Sequence, residues 1–210
     1  MSGQFRIDRV VTSGVFELDG GTWEVDNNVW VIGDDDEVVI VDAAHDRGPI
    51  VEAVDGRNVT AVVCTHGHND HVTFAPQLGR ELQASVLVHP GDDPLWQLTH
   101  PGQSYEKLTD EQRIAVAGTE IRIIHAPGHS PGSVCLYLPE VDALFSGDTL
   151  FFGGPGATGR SYSDFPTIIG SIRERLLTLP AHTRVYTGHG DATTIGTEAP
   201  HLEEWIARGH

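Results

Sequence analysis

The chain has 210 residues, 39% hydrophobic and 20% charged, which suits one globular domain spanning 1–210 and excludes a disordered chain. Thirteen Lys and Arg stand against thirty Asp and Glu, a formal charge of −17. That balance argues against nucleic acid and anionic membrane surfaces as partners, since both are gripped by clustered basic residues.

In chain order, residues 5–16, 22–32 and 38–41 are β-branched or alternating runs, which predicts three strands. Asp19-Gly20-Gly21 and Gly33-Asp34-Asp35-Asp36 split them as turns. A short helix is expected near 49–54, then a buried strand over 59–65. Residues 72–83 place Phe74, Leu78 and Leu82 four apart, a helical spacing with Gly79 as its weak point. A strand at 85–89 precedes a loop-rich segment, 90–110, and residues 112–116 and 120–124 form an expected hairpin. Strands at 133–138 and 143–146, a glycine-rich loop at 153–160, a helix around 167–177, a strand at 184–187 and a helix near 198–207 complete the chain. Strands with interspersed helices and few tight βαβ units predict an α+β fold, two sheets face to face with helices outside.

Cys64 and Cys135 each lie in an apolar run and are expected as buried thiols rather than a disulfide. Residues 1–8 hold no apolar signal core, and no run nears the roughly 20 apolar residues of a membrane helix. A cytoplasmic protein is therefore expected, and nothing in the composition decides whether copies associate into a homo-oligomer.

The chemistry concentrates in Thr65-His66-Gly67-His68-Asn69-Asp70-His71, directly after the expected buried strand. Three imidazoles and a carboxylate are nitrogen and oxygen donors suited to divalent metals. In an extended loop His66 and His68 point the same way and can share one ion, while Asp70 and His71 can serve a second. For a single string of this kind, a polar histidine-rich turn is the competing explanation.

Three more strings follow: Ala126-Pro127-Gly128-His129-Ser130-Pro131-Gly132, Phe145-Ser146-Gly147-Asp148-Thr149-Leu150 and Val185-Tyr186-Thr187-Gly188-His189-Gly190. Together and in this order, the four strings resemble the metal motifs of the metallo-β-lactamase superfamily. The resemblance implies an αββα sandwich with a dinuclear site at one sheet edge. It implies that His66, His68 and His129 hold one metal, that Asp70, His71 and His189 hold the other, and that Asp148 bridges them. It also implies that Asp42 supports a ligand histidine from behind. The cofactors are then two divalent ions, Zn first, with Fe or Mn compatible with the same donors. Such a centre activates water as hydroxide and accepts oxyanion charge. Asp70 is expected as a ligand first and as a proton acceptor second.

An aspartate at 148, where the best-known zinc β-lactamases carry cysteine, is typical of glyoxalase II-like, lactonase, RNA-processing and persulfide dioxygenase branches. The stretches 146–152 and 188–196 look most like glyoxalase II-type thioester hydrolases, so a small-molecule thioester is the expected substrate. Glyoxalase II carries a further helical domain with basic residues for glutathione. The 21 residues 190–210 hold one basic residue, Arg208, so glutathione is not the expected thiol. The loop 153–160 is similar to that of actinobacterial hydrolases acting beside mycothiol-dependent aldehyde oxidation, which points to an acyl-mycothiol. Arg160 is a candidate to hold a polar group of the substrate, with stacking on the loop as the competing role. The alternatives are a mononuclear-iron persulfide dioxygenase and a lactonase or weak β-lactamase. His45, His89, His100, His125, His182, His201 and His210 lie outside the motifs and are expected on the surface or as satisfied core residues.

Overall fold

The computed structural model describes residues 4–209; His210 lies outside them. Its first sheet has the order β1 (Arg6–Leu18), β2 (Gly21–Gly33), β3 (Glu37–Val41), β4 (Asn58–Val63), β5 (Ser85–Val88) and β6 (Glu106–Lys107). β1 and β2 pair antiparallel from Arg6↔Gly33 to Leu18↔Gly21. Asp19 and Gly20 join them with φ of 53° and 76°, the left-handed pair that a two-residue hairpin turn demands.

β3, β4 and β5 run parallel. Helix α1 (Arg47–Val54) connects the first two, and α2 (Asn69–Val72) with α3 (Ala75–Glu81) connects the next. β6 also runs parallel to β5, across the helix at 93–99, so the sheet contains three βαβ units where few were expected. The single helix expected over 72–83 is also divided. Pro76 has no N–H to give the Val72 carbonyl four residues back, and that carbonyl instead accepts a 2.8 Å bond from His100 Nε2.

The second sheet has the order β14 (Thr193–Thr194), β13 (Arg184–Thr187), β10 (Ala143–Gly147), β9 (Val134–Leu138), β8 (Thr119–His125) and β7 (Arg113–Val116). A small hairpin, β11 (Leu150–Phe151) with β12 (Gly154–Pro155), leads from it to α5 (Phe165–Ser171), which continues through a π-helical turn to Leu176. Asp164 caps α5 by accepting from Thr167 N at 2.9 Å. Short α6 (Ile195–Glu198) and α7 (Leu202–Arg208) end the described chain. The segment expected as loop contains α4 (Asp93–Thr99), whose Pro94 sits in the first turn where no N–H is needed.

The run Val38-Val39-Ile40-Val41 is apolar throughout because β3 is covered on both faces. Val39 and Val41 meet Leu136 and Phe145 between the sheets, whereas Val38 and Ile40 pack with Ile50, Leu78 and Trp96 on the helical side. Outside the second sheet, Ile124, Cys135, Leu144 and Val185 pack with Ile168, Ile172 and Trp205. The αββα sandwich follows directly from these three apolar layers. Cys64 and Cys135 are buried and free, as expected. Among the described residues no helix is long and apolar enough to cross a membrane.

Candidate metal centre

All seven motif residues meet at one end of the sandwich. His66, His68, Asp70 and His71 follow the carboxyl end of β4. His129 lies between β8 and β9, Asp148 follows β10, and His189 follows β13. Carboxyl ends of parallel strands are where open α/β sheets gather polar loops. Close approach is secured by Gly188, where a Cβ would stand 2.2 Å from Asp148 Oδ1.

Donor atoms fall into overlapping groups: His66, His68 and His129; His66, His71 and Asp148; Asp70, His71 and His189, each within 4.8 Å. The ring centroids of His66, His68 and His129 form a near-equilateral triangle with sides of 4.7, 4.8 and 4.8 Å. Asp148 reaches both sides, with Oδ1 3.4 Å from His71 Nε2 and Oδ2 3.2 Å from His189 Nε2 and 3.6 Å from His129 Nε2.

Hydrogen bonds from behind settle which nitrogen each ring presents. The Nδ1–H of His129 donates to Ala157 O at 2.9 Å, that of His189 to Asp26 O at 2.7 Å, and that of His71 to Asp42 Oδ2 at 2.9 Å. Their Nε2 atoms are therefore the ones that face the centre. Asp42 also accepts from Thr65 N at 2.7 Å and Thr65 Oγ1 at 2.9 Å, and Thr65 Oγ1 lies 3.1 Å from His66 Nδ1. Asp42 thus stands behind two of the histidines.

Two elements of the site escaped the motif reading. Asp92 is fully buried and accepts from Gly67 N at 2.7 Å, Ser130 Oγ at 2.6 Å and Gly132 N at 2.5 Å. It ties the His66–His68 loop to the His129 loop. Asn27 is the second: its Nδ2 donates to Asp70 Oδ2 at 3.0 Å, while its Oδ1 accepts from His45 Nε2 at 2.7 Å. His45, expected as background, is therefore part of the site's support. The sequence signal for Asn27 was the polar pair Asn27-Asn28 in the middle of the expected 22–32 strand.

Divalent cations fit this donor set. Among the described residues His66 Nε2 and Asp148 Oδ1 are buried at the centre without a hydrogen-bond partner, a costly arrangement that metal coordination would satisfy. Burial keeps His66 neutral, and burial with neighbouring His129 lowers His68 to about 3, so both offer bare lone pairs. Burial works against the charge on Asp70, yet His71 and the bonds from His189 and Asn27 carry its pKa down to about 2. Burial likewise opposes charge on His189, but Asp148 and Asp70 raise it to about 10. His71 is raised in the same way, against its burial, by Asp148, Asp70 and Asp42.

The same carboxylates favour a proton on His71 and on His189, which a cation must displace. Metal loading is expected to release about two protons per chain and to weaken as pH falls. Calorimetric titration in buffers of different ionisation enthalpy measures this; loading without proton release would contradict the charge pairing.

Above His68 the β1–β2 hairpin meets the glycine-rich loop. Phe16 packs edge-on to His68 with centroids 5.0 Å apart, and the Arg160 guanidinium lies 4.1 Å from the Trp23 ring centre and 5.5 Å from that of Phe16. Ser161 N donates to Asp19 Oδ2 at 3.0 Å. Arg160 thus stacks on the hairpin while lining a small cavity with His68 and His129. The remaining described histidines lie away from the centre: His89 and His125 stack on each other, His100 caps the Val72 carbonyl, and His182 and His201 pair with Asp142 and Glu204.

The family model of the metallo-beta-lactamase superfamily matches residues 22–189. The chain is 41% identical over 160 residues to an uncharacterized 11.5 kDa protein in the thcD 3′ region of Rhodococcus erythropolis, covering 76% of this chain and 91% of that one. It is 30% identical over 186 residues to the probable metallo-hydrolase YqgX of Bacillus subtilis, covering 81% and 88%. Among solved structures it is similar to TTHA1623 in a di-iron-bound form, with a TM-score of 0.76 and 32% identity over 83% of this chain and 93% of that one. With four motifs converging on one sheet edge of an αββα sandwich, and a family match from β2 to His189, this chain belongs to the metallo-beta-lactamase superfamily.

Proposed function

We propose that the chain is a metal-dependent hydrolase with a dinuclear site that cleaves the thioester of a low-molecular-weight thiol in the cytoplasm, an acyl-mycothiol being the favoured substrate. The observation that carries the reading is the pair of donor groups, His66, His68, His129 and Asp70, His71, His189, joined by Asp148. Two divalent ions held there, Zn or Fe, would lower the pKa of water and take up charge developing on a carbonyl oxygen. The name of the Bacillus relative supports hydrolysis, and the di-iron form of TTHA1623 supports iron beside zinc.

The protein's own groups have distinct parts. Asp148 places negative charge between the two donor groups, and Asp42 holds His71 in the tautomer that exposes Nε2. Asp70, with a pKa of about 2, holds a proton poorly and acts as a ligand rather than as a base. A thiolate leaves without prior protonation, so the reaction asks no acid of this site. Arg160, steadied on Trp23, is assigned to an acceptor group of the substrate.

The test is metal analysis of the purified protein together with a panel of S-formyl and S-lactoyl thioesters, a lactone, a β-lactam and a persulfide with oxygen monitored. Two metals per chain with fastest turnover of a mycothiol thioester are expected, and Arg160→Ala should raise KM with little change in kcat. One iron per chain with oxygen uptake would make it a persulfide dioxygenase. Faster turnover of the lactone or β-lactam would move it to that branch, and no thioester hydrolysis would end the reading.

A further inference from the structure

The two donor groups differ in what else faces them. Asn27, fully buried in β2, brings its Nδ2 to 3.0 Å from Asp70 Oδ2, 3.1 Å from His71 Nε2 and 3.5 Å from His189 Nε2. Those three atoms are themselves 3.3, 3.5 and 3.5 Å apart. Tetrahedral ligands about 2.1 Å from a shared ion stand about 3.4 Å from one another. The amide nitrogen therefore lies at ligand-to-ligand distance from the whole second group.

An amide nitrogen cannot serve there as a ligand. It presents two hydrogens and no available lone pair. An imidazole Nε2 has one in-plane lone pair, and a pair directed at an Asn27 hydrogen is withdrawn from a cation. The amide hydrogens cannot leave when a cation arrives. At the first group no comparable donor intrudes: among the described residues His66 Nε2 has no hydrogen-bond partner, and His129 Nε2 faces only His68 Nδ1 at 3.1 Å and Asp148 at 3.6 Å.

The orientation of the amide is fixed from the far side. His45 Nε2–H donates to Asn27 Oδ1 at 2.7 Å, which turns the NH2 towards the donors. The His45 ring is lodged against β1 at Gly14, where a Cβ would come within 2.2 Å of its Nδ1. Asn27 reversal would require His45 to yield its proton-bearing nitrogen or to move, and Gly14 leaves it little room.

We infer that Asn27, held by His45, makes the second metal position weaker than the first, so that the chain fills His66, His68 and His129 before Asp70, His71 and His189. This inference rests on the metal-binding reading above. It predicts a one-metal form over a range of metal concentration and gives that range a named structural cause.

The experiment is calorimetric titration of the metal-free full-length protein with Zn²⁺, with the melting temperature of each metal-free variant as a folding control. Wild type should show two steps separated at least about tenfold in Kd, a separation of the size outer-sphere contacts produce. Asn27→Ala removes the donor and adds no ligand; it should tighten the second step about tenfold and leave the first unchanged. His45→Ala should act in the same direction, because the freed amide can turn its oxygen to the donors. Two indistinguishable steps in wild type, or a second step weakened by Asn27→Ala, would overturn this inference while leaving the metal reading intact. Absence of Zn²⁺ binding would overturn both.

Discussion

Asp148→Asn is expected to lower kcat/KM for thioester hydrolysis by about 10³-fold or more, with metal content falling below two per chain. Asp148 is the side chain that touches both donor groups, 3.4 Å from His71 Nε2 through Oδ1, and 3.2 and 3.6 Å from His189 and His129 Nε2 through Oδ2. His189 and His71, with their hydrogen bonds, overcome the effect of burial and hold its pKa well below the usual carboxylate range. Asparagine keeps the shape, removes that charge and turns an NH2 towards the centre. Gly188 permits no retreat, since even a Cβ there would clash with Oδ1. Charge stabilisation by a metal centre is worth several kcal/mol, and each 1.36 kcal/mol is tenfold in rate. Kinetics and metal analysis on one preparation check this; full metal content with more than a tenth of the activity would contradict the bridging role.

Asp92→Ala should destabilise the metal-free protein by about 3–5 kcal/mol, a large part of a typical domain's stability. It would strip the acceptor from Gly67 N, Ser130 Oγ and Gly132 N, all buried around it. Each orphaned buried donor costs about 1–3 kcal/mol. Because those donors belong to the two loops that carry His66, His68 and His129, the first metal position should loosen as well. Asp92→Asn should do less damage, retaining an oxygen for Gly132 N while setting N–H against N–H at Gly67. Urea unfolding of the metal-free variants measures the first effect and Zn²⁺ titration the second. An alanine variant as stable as wild type would show that the loops hold without the strap.

Legibility in the sequence followed how local the cause was. His66, His68, Asp70 and His71 occupy six consecutive positions after a strand, so their donors meet wherever that strand ends. The Asp19-Gly20 turn was equally plain, because its left-handed φ values need those residue types. Helix α4 was hidden because Pro90 and Pro94 signal loop unless their place in a first turn is known. The break between α2 and α3 depended on which carbonyl Pro76 failed to satisfy, and its replacement partner, His100, comes from another helix end. Asp92 and Asn27 lie 38 and 43 residues along the chain from Ser130 and Asp70, the partners that give them their roles. No periodicity or spacing rule spans such a gap.

The amino-acid sequence alone determined the family resemblance, the αββα layering and the seven clustered donors. The layering is set by hydrophobic period, whereas the gathering of His129, Asp148 and His189 with the 66–71 string was what the resemblance implied. Only the tertiary structure decided that Asp92 braces the histidine loops, that Arg160 rests on Trp23, and that Asn27, turned by His45, faces one donor group and not the other. Those facts depend on which strand ends lie side by side across two sheets, to within a few tenths of an ångström, and hydrogen-bond direction is decided at that scale.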